Sequence, residues 1–227
     1  MNDYLAEARR IIEAARPDGW VLEPDAKRLF GLAGFAVPRF GVARSAEEAV
    51  RLADGIGYPV VAKVVSSRVL HKSDVAGVVV NIAAADGLEA AFRRLQALDG
   101  FSGMLVEEMV SGVELILGAK IDFQFGPMIL LGMGGTGVEI YRDIALRMAP
   151  LAESDVSAMI DSLKARPLLE GYRGAEKVDR KTLLETVLAF SALFLKLSSG
   201  IASIDINPLL CSSRRCVVAD ARIVLGK

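Results

Sequence analysis

The stretch YPVVAKVVSSRVLHKSDVAGVVV, residues 58–80, decides how this chain is read. Its flanks are β-branched runs, YPVVAKVV (58–65) and, extended by two residues, AGVVVNI (76–82), and such runs favour strands. Between them SSRVLHKSD is polar and aperiodic, which reads as a loop joining two strands. The loop holds the only histidine of the chain, His71. Lys63 stands among valines, and on an alternating strand it shares a face with Val61 and Val65. An unpaired buried ammonium is costly, so Lys63 needs an anion, either a phosphate or a structural carboxylate.

Outward from this stretch, helices and strands are intermixed. Asn2 to Ala15 has apolar residues at helical spacing, ended by Pro17, Asp18 and Gly19. A short helix opens at Glu23-Pro24, and AVPRFGVA (36–43) reads as an edge strand in which Pro38 is tolerated. Ser45 and Glu48 form a capping box for a helix to Asp54, and Asp86 to Leu98 is helical. GMLVEEMV (103–110) and VELILGAKI (113–121) read as strands joined in a hairpin by Ser111-Gly112, and PMILLGM (127–133) as a further strand. Ser154 is placed as the cap of a helix to Leu163, and Asp179 as the start of a long helix to Ser198. ASIDINPLL (202–210) and CVVADARIV (216–224) read as a hairpin with SSRR at its tip. Hairpins without strict β–α alternation imply an α+β fold of mainly antiparallel sheets. The expected organisation is an N-terminal helix (1–19) and two subdomains, 20–102 and 103–227.

Composition narrows the function classes. Of 227 residues, 52% are hydrophobic and 24% charged, enough for a sizeable core. The 27 Lys and Arg nearly cancel the 28 Asp and Glu, so nothing marks a nucleic-acid or membrane-surface partner. No stretch approaches the about 18 uninterrupted apolar residues of a membrane span. The mixed-charge N-terminus reads as an amphipathic helix and not a signal peptide. Cys211 and Cys216 lie five apart and could face each other across the hairpin, but two cysteines make no disulfide framework. The expectation is a soluble, cytoplasmic protein.

Several residues could carry chemistry. GMGGTG (132–137) fits G-x-G-x-x-G after a strand, yet no βαβ unit surrounds it. A loop whose backbone N–H groups approach an anion fits better than a dinucleotide fingerprint, with a plain turn as the alternative. Glu107, Glu108 and Glu114, at the ends of adjoining strands, could receive ribose hydroxyls or an adenine amino group, or be solvated edge charges. Asp205 and Asn207 are two apart in a strand and point to one face, with Asp220 on the partner strand. Three oxygen-bearing side chains in a β-branched setting suit a hard cation such as magnesium, Asp and Asn being poor strand formers. His71, in a polar loop beside Lys72, carries an imidazole, a side chain that is nucleophilic when neutral. Near a terminal phosphate it could accept a phosphoryl group.

These motifs, in order, resemble a known family. YPVVAKVVSSRVLHKSDVAGVVV, LVEEMVSGVELILGAKIDFQFGPMILLGMGGTGVE, RMAPL, PLLEGYRG and IDINPL are similar to the ATP-grasp (β) part of NDP-forming acyl-CoA synthetases, of which the ADP-forming acetate–CoA ligases are the best known. The succinyl-CoA synthetase β chain is a more distant relative. The resemblance implies an ATP-grasp fold of two α+β subdomains closing over a nucleotide. It implies the reaction acyl-CoA + ADP + phosphate ⇌ carboxylic acid + CoA + ATP, with ATP/ADP and Mg2+ as ligands. It also implies a CoA-binding α partner, in an αβ or α2β2 assembly, because this chain has no CoA-binding domain. Carried over residue by residue, Lys63 holds nucleotide phosphates, Glu107 lies at the adenine hinge with Glu108 beside it, and Glu114 takes ribose hydroxyls. Asn207 and Asp220 bind magnesium with Asp205 alongside, and His71 is the phosphohistidine of the β part. Phe123 stands where the family often has Pro, and AKVVSS where it often has LKIVSP; neither change touches Lys63 or His71. Two alternatives stay beside this reading: a nucleotide-binding regulatory module that transfers nothing, and a different ATP-grasp carboxylate ligase, which would not require His71.

Overall fold

The computed structural model describes residues 3–69, 71–135 and 143–226. The chain forms two compact units: a larger one (1–21, 25–37 and 111–227) and a smaller one (22–24 and 38–110).

The smaller unit is a four-stranded antiparallel sheet with two helices. Its strands are β2 (Phe40–Ala43), β3 (Val60–Ser66), β4 (Val78–Ile82) and β5 (Phe101–Glu108), in the order β2-β5-β3-β4. The 58–80 stretch thus folds as two paired strands joined by the polar loop, with Lys63 opposite Val78 and Leu105. The segment with Pro38 leads into an edge strand, as expected. Two helices, α3 (Ala46–Ile56) and α4 (Ala85–Leu95), cover one face of this sheet. Ala49 and Ala53 of α3 and Leu88, Ala91, Phe92 and Leu95 of α4 pack on Val60, Ala62, Val64, Met104 and Val106. Strand alternation then sends Val61, Lys63 and Val65 to the opposite face. Half of the capping box forms: Ser45 Oγ accepts from Glu48 N at 3.2 Å, while the Glu48 carboxylate reaches one residue past the cap and accepts from Arg44 N at 2.7 Å.

The larger unit is built on a seven-stranded antiparallel sheet. Its strands are β1 (Trp20–Val21), β6 (Val113–Asp122), β7 (Gly126–Met133), β8 (Ile144–Met148), β9 (Ile201–Cys211), β10 (Cys216–Val218) and β11 (Ala221–Leu225). The order is β1-β11-β9-β6-β7-β8, with β10 also paired to β9. The helices of this unit include α1 (Asp3–Ala14), the body of α2 (Glu23–Leu32), α5 (Glu153–Ser162), the short α6 (Arg166–Leu169) and α7 (Arg180–Leu197). In α7 the residues Leu183, Val187, Phe190, Phe194 and Leu197 recur at helical spacing and are buried in the core. This helix is long and apolar enough to count as a membrane span by composition, but its buried stripe is that of a core helix. Asp179 caps it, accepting from Lys181 N at 3.1 Å and from the Thr182 hydroxyl at 2.6 Å.

Five expectations change. The strands on either side of Ser111-Gly112 do not pair: β5 belongs to the four-stranded sheet and β6 to the seven-stranded one. A Cβ on Gly112 would lie 2.7 Å from Cys211 O, so the glycine serves a close approach to β9 and not a two-residue hairpin. The expected boundary at 102/103 therefore falls inside β5, and the units divide at 110/111. The N-terminal helix is no separate element, because Ala8 and Ile12 are buried in the larger unit's core. Ser154 lies inside α5, whose cap position is Ala152; the Asp155 carboxylate secures this end by accepting from Ala152 N at 2.8 Å. The strand expected over 216–224 is interrupted at Ala219 and Asp220, giving β10 and β11.

Candidate functional site

In the smaller unit, Lys63 is buried and its ammonium lies 2.7 Å from Glu23 Oε1 and 2.8 Å from Glu107 Oε1. Glu107 reaches it because its residue is directly opposite Val61, which puts both side chains on the face away from the helices. Glu23 arrives from the first turn of α2. Its second oxygen, Oε2, lies 2.7 Å from Lys72 Nζ. Two carboxylates and two ammonium groups thus alternate in the order Glu107–Lys63–Glu23–Lys72, and their formal charges cancel. Burying such groups is tolerable only when they are paired in this way. The carboxylate partner left open for Lys63 is therefore present, and it is double.

His71 directly precedes Lys72 and is exposed. The base of its loop is closed by Gly77 N donating to Lys72 O at 2.7 Å, and tied to β3 by Val64 N donating to Gly77 O at 2.8 Å. A Cβ on Gly77 would lie 2.7 Å from Val64 Cγ1 and 3.0 Å from Lys72 O, so only glycine fits there. Glu108 is turned elsewhere: its carboxylate accepts from Arg39 N and Arg39 Nε, both at 3.3 Å.

In the larger unit, Glu114 is exposed near the start of β6. Gly134 N donates to Glu114 O at 2.7 Å, and a Cβ on Gly135 would lie 2.9 Å from Glu114 Oε2. These glycines of GMGGTG pass closely over Glu114; Thr136 and Gly137 lie outside the described residues. On β9, Asp205 and Asn207 point outward while Ile204, Ile206 and Leu209 are buried. The register with β6 jumps from Leu115↔Leu209 to Leu117↔Ile206, a bulge at Asn207 and Pro208 that re-aims the backbone there. Asn207 N donates to Asp220 O at 3.2 Å, which brings the β10–β11 break alongside the bulge. Asp205 lies opposite Arg222, whose Nη2 is 3.6 Å from Asp205 Oδ2. Asn207 and Asp220 are hard oxygen donors with access to solvent, a set that suits a divalent cation keeping phosphate and water among its ligands. Among the described residues no three His, Cys, Asp or Glu side chains converge as a fully protein-made metal site.

Cys211 and Cys216 are direct cross-strand neighbours, as the hairpin reading allowed; both are buried free thiols. Mutual hydrogen bonding and burial push the Cys211 thiol well above its ordinary pKa, so it stays protonated and unreactive at neutral pH.

The structure joins Lys63 to Glu107, groups expected at different parts of a nucleotide, and brings Asn207 beside Asp220. Sequence reading missed Glu23, which is 40 positions from Lys63 and carries no local signal. Lys72 was visible only as a neighbour of His71.

A family model for the ATP-grasp domain matches residues 13–225. The β subunit of ADP-forming acetate–CoA ligase I of Pyrococcus furiosus is 40% identical over an alignment covering 98% of this chain and 100% of that protein. ADP-forming acetate–CoA ligase I of Archaeoglobus fulgidus is also 40% identical, over 86% of this chain but only 29% of that longer protein. Among solved structures, the Korarchaeum cryptofilum dinucleotide-forming acetyl-coenzyme A synthetase 1 with coenzyme A and Ca-AMPCP superposes with a TM-score of 0.90 at 38% identity, covering 96% of this chain and all of that one. Another structure of the same protein carries a phosphorylated phosphohistidine segment. By the ATP-grasp match over 13–225 and the full-length similarity to the Pyrococcus subunit, the chain belongs to the ATP-grasp family, among the β subunits of ADP-forming acetate–CoA ligases.

Proposed function

We propose that this chain is the nucleotide-handling β subunit of an ADP-forming acyl-CoA synthetase, and that His71 carries the phosphoryl group exchanged with ADP. The observation that carries the reading is the exposed His71 on a loop whose next residue, Lys72, belongs to the buried Lys63 network. In the direction of ATP formation, the N–P bond of phosphorylated His71 breaks as a β-phosphate oxygen of ADP forms the new O–P bond, leaving neutral imidazole. Such transfers depend on positioning and charge neutralisation more than on covalent help. Lys63 supplies positive charge to nucleotide phosphates, with Glu23 and Glu107 keeping its ammonium in place. Glu107 acts here through Lys63 rather than on adenine, Glu108 is held by Arg39, and Glu114 accepts from ribose hydroxyls. Asn207 and Asp220 hold magnesium, with Asp205 fixed beside them by Arg222; when bound, the metal neutralises phosphate charge.

A CoA-binding α partner supplies the acyl phosphate chemistry. The Archaeoglobus relative, of which this chain spans under a third, shows that the β part also exists joined to further sequence. An αβ or α2β2 assembly in the cytoplasm follows from the same reading.

The test is phosphorylation with magnesium and γ-labelled ATP, with and without the α partner, in wild type and His71→Ala. Acid-labile, alkali-stable label that disappears in His71→Ala is the expected result. Label that persists in His71→Ala, with no synthetase turnover when the α partner is present, assigns the chain to another ATP-grasp ligase; full synthetase turnover by that variant removes His71 as the carrier.

A further inference from the structure

We infer that the PLLEGYRG loop (167–174) and the tip of the β9–β10 hairpin (212–215) form a basic docking surface for an acidic patch on the CoA-binding α partner, with Tyr172 and Arg173 as its anchors. The identity of the occupant rests on the proposed function; the surface itself does not.

Charge is concentrated here. Residues 161–180 and 212–215 hold seven Lys and Arg against four Asp and Glu, a net of +3 in a chain of net −1, so the remainder carries −4. The two segments lie together: Asp179 N donates to Ser212 O at 3.0 Å, and the Glu176 carboxylate accepts from Ser213 N at 3.2 Å and from the Ser213 hydroxyl. All four carboxylates are engaged within the surface. Asp161 accepts from Arg180 Nη1 and Nη2 at 2.8 and 2.9 Å, Glu170 pairs with Arg166 at 3.1 Å, Glu176 is held by Ser213, and Asp179 caps α7. The side chains of Lys164, Arg173 and Lys177 are exposed and form no ion pair with any described residue.

The backbone singles out the same loop. Arg173 has φ 56° and ψ 31°, in the left-handed region, between Gly171 at φ 87° and Gly174 at φ 83°. That conformation is unfavourable for a residue with a side chain, and such residues gather at binding sites. A glycine would make this turn with less strain, yet the position carries an arginine whose guanidinium lies 5.3 Å from the centre of the Tyr172 ring. Tyr172 is 53% exposed and Leu168, four positions earlier, 43%. Tyr and Arg are frequent interface anchors, and a pair already stacked loses little freedom on association.

The balance of charge selects the occupant. A long polyanion would run onto the −4 of the remaining chain, whereas a compact acidic patch on a folded protein matches a +3 surface that includes exposed apolar side chains. The Archaeoglobus relative has more than two thirds of its length beyond the part matched by this chain, so a partner larger than this chain is at hand to supply that patch.

The test titrates the full chain with purified α partner in a calorimeter at about 50 and about 500 mM salt. Wild type is expected to bind, with affinity falling about tenfold over that range. Arg173→Glu/Lys177→Glu is expected to weaken binding about a hundredfold at low salt and Tyr172→Ala about tenfold, each with unchanged ATP affinity of the isolated chain. Arg173→Gly separates docking from folding: it removes the anchor and relieves the left-handed residue, so binding weakens about tenfold while the melting midpoint is no lower than that of wild type. An α partner that binds the charge-reversed chain as tightly as wild type, or that fails to bind wild type at either salt, overturns the inference. Binding of a mixed-sequence DNA duplex that is lost on charge reversal, with α binding unaffected, gives the surface to nucleic acid and overturns it as well. A complex that assembles through this surface but never labels His71 leaves the inference standing and removes the carrier reading instead.

Discussion

Lys63 and Asn207 both stand in the middle of apolar strands, and the two sheets treat them in opposite ways. Lys63 is buried on β3 and comes with its counter-charges, Glu23 and Glu107. Asn207 sits at a bulge on β9, exposed, with Asp220 alongside. The difference follows from what each group is asked to meet. A lysine kept out of water must have its charge balanced before any ligand arrives, since desolvation alone costs several kcal/mol per ion. Oxygen donors for magnesium need no such balance, because that cation keeps much of its water and a solvated carboxylate is at ease without it.

The largest effect expected is on stability, at the buried end of this contrast. Lys63→Met removes the cation that Glu23 and Glu107 share and is expected to cost the smaller unit about 3–5 kcal/mol in a denaturant melt. Adding Glu107→Gln should recover part of that loss; a neutral Lys63→Met would break the contrast. At the open end, Asp220→Ala is expected to leave the melt within about 0.5 kcal/mol while lowering magnesium-dependent ATP formation about a hundredfold, a split read by pairing the melt with turnover at saturating magnesium. If Asp220→Ala instead unfolds the protein, the residue belongs with the buried class.

Smaller effects sharpen the picture away from the chemistry. Ser45→Ala removes the α3 cap and is expected to cost about 1 kcal/mol with unchanged phosphoryl transfer. In the larger unit, the Thr182 hydroxyl and the Lys181 N–H hold the Asp179 carboxyl below its ordinary pKa. Its contribution to α7 is present above the ordinary carboxylate pKa and lost as pH falls through the lowered one, so acid sensitivity of helix content should diminish in Asp179→Asn. The smallest effect falls on Arg39–Glu108, where the arginine is 63% exposed: Arg39→Ala should cost under about 0.5 kcal/mol, measured as a melt shift that shrinks as salt is raised.

Most of the architecture was legible because it is local. Valine runs made β3 and β4, the Ser45–Glu48 pair made the start of α3, and a stripe of large apolar residues made α7. The failures share one cause. Ser111-Gly112 looks like a hairpin turn because turn residues report backbone freedom, and freedom serves a close approach to Cys211 as well as it serves a turn. Ser154 looks like a cap, but Asp155 reaches back to Ala152 N, and nothing local ranks the two.

By itself the sequence determined the α+β class, the strand that carries Lys63, the polar loop that carries His71 and the outward-facing Asp205 and Asn207, all properties of residues at spacings of one to four. Only the tertiary structure decided who balances Lys63, that one carboxylate serves both it and Lys72, and that Asp220 meets a bulge at Asn207. Those depend on pairings between segments 13 to 49 residues apart, which composition and periodicity do not encode.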